Sequence, residues 1–181
     1  MVMIFEKAGR ENTAATVELV KKTAAERGIK HIVVASNTGE TAALFKGMDI
    51  NVVCIGQVSG FTEKGVNVMT KEMKEDLKAN GVNVYHTSHA LSGVERGISN
   101  KAKGMYPAEI ISHTLRMLSQ GVKVCVEIAI MALDGDMIPY GEEIIAVGGT
   151  GRGADTAVII TPSHANSVFD TKIHEILCMP N

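Results

Sequence analysis

The sequence predicts a three-layer α/β/α fold built on a mixed, mostly parallel sheet of about five or more strands. Two observations carry this. Continuous β-branched runs such as HIVVA (31–35) and EEIIAVGG (142–149) read as strands buried on both faces. Amphipathic helical segments alternate with the early runs and close on glycines. The late runs EEIIAVGG, TAVIITP and KIHEILCM follow one another without long helices, so that side of the sheet is expected to be mixed.

The elements follow in order. Asn12 or Thr13 opens a helix to about Arg27, with Val17, Leu19, Val20 and Ala24 as its apolar stripe and Gly28 just past its end. HIVVA is the first strand, TAALFKG a short helix and NVVCIG a second buried strand. VSGFTEKG is a loop; Thr70 caps a charged helix, KEMKEDLKANG, whose lysine–glutamate alternation is a solvated face. NVYH is a third strand, HTSHALSGVERG starts a short helical segment, and SNKAKGMYP is a polar connection. Pro107 suits the first turn of a helix through Gln120, closed by Gly121. VKVCVEIAIMALDG is read as a helix from about Lys123 to Leu133. No internal repeat, low-complexity tract or linker interrupts the chain, so residues 1–181 are taken as one ligand-binding domain.

Composition narrows the function. A formal net charge of -2 with 4% aromatics and no Trp provides neither the basic stripe nor the stacking platform that nucleic-acid binding uses. The longest apolar run, VCVEIAIMAL, carries Glu127 and is too short to cross a bilayer, so no membrane partner is expected. Cys54, Cys125 and Cys178 are scattered, without CxxC spacing, which together with the absence of a secretory leader indicates a reduced, cytoplasmic setting.

Two loops carry candidate chemistry. After the first strand, Ser36-Asn37-Thr38-Gly39-Glu40-Thr41 packs five polar residues around one glycine at a strand-to-helix turn. In an open α/β sheet this is the ligand end, where helix N-termini present unpaired N–H groups to anions. Asn37, Thr38 and Thr41 add side-chain donors, and Gly39 lets the backbone approach. A phosphate cradle from Ser36 to Ala42 accounts for all of them; simple capping by Thr38 leaves three unexplained. Glu40 opposes a bound phosphate. The second loop, VGGTGRGADTAVII, formally matches G-x-G-x-x-[GA], yet its continuation is a strand, so the dinucleotide motif is rejected. A hairpin remains, with Gly149, Thr150, Gly151, Arg152, Gly153 and Asp155 at its tip. Arg152 suits a bidentate anion contact, and Asp155 either joins the site or holds Arg152 in place.

With both loops in view, the chain resembles the C-terminal α/β domain of pyruvate kinases, and more closely a family of stand-alone archaeal proteins with that fold. In pyruvate kinases the matching turn, Ser-Gly-x-Thr-Ala, holds an effector phosphate; here it is Thr38, Gly39, Glu40, Thr41 and Ala42. The resemblance implies a last strand running antiparallel, and for the stand-alone relatives a flavin mononucleotide (FMN) or similar phosphorylated ligand. The site residues then expected are Ser36 to Ala42, Ser59, Gly60, Phe61, His86, and Gly149 to Gly153 with Asp155, with Phe61, Met105, Tyr106 and Pro107 as candidates for a flavin wall. Pyruvate kinase activity is not implied, because 181 residues cannot hold its catalytic barrel. Three readings stay open: a flavin-dependent oxidoreductase, a non-catalytic sensor of a phosphometabolite, and, with least support, a phosphoryl hydrolase or transferase. His86 and His89 in YHTSH face the same end of the sheet, as ligand contacts, acid–base groups or ordinary half-buried side chains; no metal set is expected. Glu127 either faces water or turns inward to a basic partner or the ligand. Apolar content and kinship with a regulatory domain favour self-association.

Overall fold

In a computed structural model describing residues 2–181, one seven-stranded sheet forms the middle layer. The elements are β1 (Met3–Phe5), α1 (Thr13–Arg27), β2 (His31–Ala35), α2 (Glu40–Ala43), β3 (Asn51–Ile55), α3 (Lys71–Ala79), β4 (Val82–Tyr85), α4 (Gly93–Ala102), α5 (Pro107–Arg116), α6 (Gln120–Asp134), β5 (Ile144–Gly148), β6 (Thr156–Thr161) and β7 (Lys172–Pro180). The strand order is β1-β7-β6-β5-β2-β3-β4. β2 lies parallel to both β3 and β5, and β4 parallel to β3, so the chain reverses its winding between β2 and β5.

The strand that runs against the rest is β6, antiparallel to β5 and to β7, while β7 itself runs with β1 and β5. This corrects the expected antiparallel last strand. The tight turn between β5 and β6 forces one reversal, and the short connection from β6 to β7 forces another, which restores the original direction.

Alternation along the strands divides the core. Ile32, Val34, Val52 and Cys54 pack with Val17, Val20, Phe45 and Leu77 of the α1–α3 layer. Val33, Val53, Ala146 and Val158 face the other way, onto Val122, Ala129 and Ile130 of α6. α6 is buried nearly all round because α5 covers its outer side, which is why its sequence showed no clean amphipathic period.

Three boundaries differ from the sequence reading. β1 is too short to stand out as a strand and is recruited by pairing with β7. α4 extends through Ala102, so much of the expected polar connection is helical. The expected helix from Pro107 to Gln120 ends at Arg116; the Ser119 hydroxyl then accepts a bond from Val122 N at 3.0 Å and starts α6. Gly121 therefore does not close a helix. It sits in the first turn of α6 at a close approach, where a Cβ would lie 1.9 Å from Thr156 Oγ1. Among the described residues no helix is long and apolar enough to cross a membrane.

Candidate functional site

The turn after β2 is built from its first serine. Ser36 is buried, and its hydroxyl accepts from Thr41 N at 3.2 Å and Ala42 N at 3.3 Å. Ser36, not Thr38, therefore satisfies the start of α2, and two of the backbone donors expected to face a ligand are already engaged. The N–H groups of Thr38, Gly39 and Glu40 have no acceptor among the described residues. Asn37, Thr38 and Glu40 are exposed, whereas Thr41 and Ala42 are buried. Gly39 has φ 94°, and a Cβ there would lie 2.4 Å from Met73 Cγ. Its lack of a side chain makes room for α3.

The hairpin between β5 and β6 is held from within. Asp155 is fully buried and its carboxylate accepts from Gly9 N at 3.1 Å, Thr150 N at 3.1 Å and the Thr156 hydroxyl at 2.8 Å. It makes no ion pair with Arg152: it ties the loop to the N-terminal segment. Gly149 is as tightly enclosed, with Gly153 O at 2.6 Å from the place of a Cβ. Gly151 and Gly153 take positive φ, 76° and 74°, and Gly153 also lies against Thr13 and Arg10. The Thr13 hydroxyl accepts from Ala154 N at 3.0 Å, which docks the loop on the first turn of α1.

These ties bring the two loops to one place. A cleft of about 170 Å³ is lined by Arg10, Thr13, Glu40, Thr41, Leu44, Arg152 and Gly153. Both guanidiniums are exposed, and among the described residues neither enters an ion pair. Arg10 escaped the sequence reading, and Thr13 was read there only as a possible helix start. The available signal was a cation just before a helix start, in Gly9-Arg10-Glu11-Asn12, because a positive charge there opposes the helix dipole by about 0.3–1 kcal/mol. An anion between Arg10 and Arg152 would reverse that sign.

The remaining expected residues belong to a different neighbourhood, at the ends of β3 and β4. Asn67 Nδ2 lies 3.1 Å from Ser59 Oγ and 3.2 Å from His86 Nδ1, and His86 Nδ1 lies 3.1 Å from Gln57 O. The His86 ring fills the place where a Cβ on Gly56 would be, its Nε2 is buried without a partner among the described residues, and burial holds its pKa below the ordinary range. Gly60 N donates to Val66 O, closing a loop that carries half-exposed Phe61 against His89. Ser59, Gly60, Phe61 and His86 thus fasten the loop after β3. None of them, nor Met105, Tyr106 or Pro107, lines the Arg10–Arg152 cleft. The three thiols are buried; burial pushes Cys54 up to about 12 and raises Cys125 and Cys178, which disfavours the reactive thiolate at each.

Comparison with known proteins adds the family. Residues 14–160 match the model of the pyruvate kinase alpha/beta domain. Among solved structures, the chain is similar to a pyruvate kinase from Cryptosporidium parvum, at 18% identity and TM-score 0.41, covering 82% of this chain and 22% of that one. A second structure of the C. parvum pyruvate kinase, in complex with ADP, gives 18% identity and TM-score 0.40, covering 90% of this chain and 23% of that one. The chain thus spans less than a quarter of the length of either enzyme. It belongs to the pyruvate kinase alpha/beta domain family.

Proposed function

We propose that this member of the pyruvate kinase alpha/beta domain family binds a phosphorylated small molecule, with its phosphate between Arg10, Arg152 and the Thr41 hydroxyl. One observation carries the reading: two guanidiniums far apart in sequence line the same cleft as the β2–α2 turn, with no carboxylate paired to either among the described residues. Glu40 lines the cleft too, and favours a site that holds the phosphate at its arginine side.

Size and magnitude describe the ligand. At about 170 Å³ the cleft is smaller than the roughly 300–1,000 Å³ that encloses a drug-sized molecule, so it fits a phosphate with the rest of the ligand outside. Two or three charge-assisted hydrogen bonds contribute about 1.5–3 kcal/mol each before desolvation and ordering costs. Inorganic phosphate alone is then held near the millimolar level, about -4 kcal/mol, and tighter binding must come from the ligand's body. For FMN the phosphate fits, and Leu44, 45% exposed, is the one apolar side chain in the lining against which a ring can rest. When bound, the flavin supplies the redox chemistry, and the chain's own residues hold and orient its phosphate. Other phosphometabolites satisfy the same cleft, and for them the role is that of a sensor.

The test is calorimetric titration with FMN, riboflavin and inorganic phosphate, repeated on Arg10→Ala, Arg152→Ala and Thr41→Val. Each arginine variant is expected to weaken the phosphate-bearing ligands about tenfold or more and to leave riboflavin unchanged. Unchanged affinity for FMN and phosphate in both arginine variants removes the cleft as the site. Binding that requires the phosphate but not the flavin selects the sensor. Turnover of a reduced nicotinamide by the FMN-loaded protein selects the oxidoreductase.

A further inference from the structure

Where this chain buries a carboxylate it supplies a partner. Glu127 on α6 is 5% exposed and accepts from Lys123 Nζ and, at 2.9 Å, from Leu91 N. Buried Asp155 accepts from Gly9 N, Thr150 N and the Thr156 hydroxyl. The Arg10–Arg152 cleft is arranged differently. Glu40 lines it together with both guanidiniums, yet among the described residues its carboxylate forms no ion pair with either and accepts no hydrogen bond. Opposite charges that share one small cleft without closing on each other leave room for a ligand that meets both.

The rest of the lining sorts into engaged and open groups. The Thr13 hydroxyl donates to Arg10 O at 2.7 Å and accepts from Ala154 N at 3.0 Å, so its proton is committed to the wall. Thr41 is only 6% exposed and gives its N–H to Ser36, but its hydroxyl lines the cleft without a partner among the described residues. That is a nearly buried donor facing the space between the charges. Charge balance then describes the occupant. A phosphomonoester carries about -1.5 to -2 near pH 7, which the two guanidiniums offset, and the Glu40 carboxylate is left over. A ligand with nothing but its phosphate sets that carboxylate against a like charge, whereas a cation beside the phosphate pairs with it. A hydroxyl gives Glu40 a hydrogen bond and leaves its charge uncompensated. The volume agrees: about 170 Å³ is the liquid share of roughly five or six waters, room for a phosphate and a two-carbon amine with Leu44 as the apolar wall.

Building on the phosphate reading of this cleft, we propose that Glu40 sets its specificity for a zwitterionic phosphate. The ligand is a short aminoalkyl phosphomonoester, with its phosphate on Arg10, Arg152 and the Thr41 hydroxyl and its ammonium on Glu40. FMN has hydroxyls but no cation beside its phosphate, so Glu40 selects against it.

The experiment titrates 15N-labelled protein near pH 7.5 with O-phosphoethanolamine, monoethyl phosphate and glycerol 3-phosphate, reading the amide shifts of Gly151 and Gly153. Phosphoethanolamine is expected to bind about threefold or more tighter than the other two, the scale of an exposed ion pair. Glu40→Gln changes an exposed side chain without hydrogen bonds and is expected to fold. It should erase or reverse the order, weakening phosphoethanolamine and tightening monoethyl phosphate. Arg152→Ala should weaken all three about tenfold. If either uncharged-tail phosphate matches phosphoethanolamine, or the preference survives Glu40→Gln, the zwitterion specificity is overturned and the phosphate site stands. No saturable shift with any of the three overturns the phosphate site as well.

Discussion

Replacing Gly39 with alanine separates two roles that a glycine in a ligand turn can have. The residue sits at φ 94°, and an added Cβ meets Met73 Cγ at 2.4 Å, Met73 Sδ at 2.9 Å and Leu77 Cδ1 at 3.2 Å. The left-handed backbone costs an L-residue about 1–2 kcal/mol. Displacing the half-buried Met73 from α3 is an overpacking change, about 1–3 kcal/mol. Together Gly39→Ala should destabilise the fold by about 2–5 kcal/mol, read in urea as a lowered midpoint with unchanged slope. Shortening the neighbour isolates the steric part: in a Met73→Ala background the same substitution should cost only the backbone share, about 1–2 kcal/mol. Affinity for inorganic phosphate, measured where both proteins are folded, should change less than threefold, because the glycine's empty side faces α3. A stable Gly39→Ala protein that has lost phosphate would refute this and return Gly39 to the ligand.

Other outcomes follow from the same contacts. Asp155→Ala removes three hydrogen bonds from a fully buried carboxylate and strands Gly9 N and Thr150 N; a loss of about 3–5 kcal/mol in urea is expected, with faster hydrogen exchange at both amides. A loss below ~1 kcal/mol would show that the loop is anchored otherwise. All three thiols should resist a disulfide reagent at pH 8 until denaturant is added, and a stoichiometric fast reaction would contradict their burial. Stability should fall as pH drops below 6.5. His86 and His89 have folded pKa values under that ordinary value, so in this window the unfolded chain binds more protons and the contribution is complete only above it. His86→Gln/His89→Gln should flatten that slope, and an unaltered slope would assign it to other groups.

Much of the candidate site was legible as separate pieces. Ser36–Thr41 and the Arg152 loop each announced themselves, because five polar residues at a strand end, or three glycines around an arginine, are uneconomical as mere connections. Their partner Arg10 was not legible, because nothing local says that a residue before α1 returns to a loop more than 140 positions away. Asp155, a candidate for Arg152 or the ligand, proved to be the anchor that makes that return, since a buried carboxylate takes the nearest N–H groups.

The same division holds for the fold. By itself the sequence determined the elements with strong periods or caps: α1 ending on Gly28, β2 and β3 as β-branched runs, α3 opening on Thr70, and the β5–β6 hairpin. These depend on forces acting within a few residues. Only the tertiary structure decided that β1 is a strand, that Gly121 lies within α6 rather than after a helix, that Gly39 serves Met73, and that Lys123 and Glu127 are buried together. Each of these depends on what another segment places at van der Waals or hydrogen-bond distance, and that is settled by close packing of the whole chain.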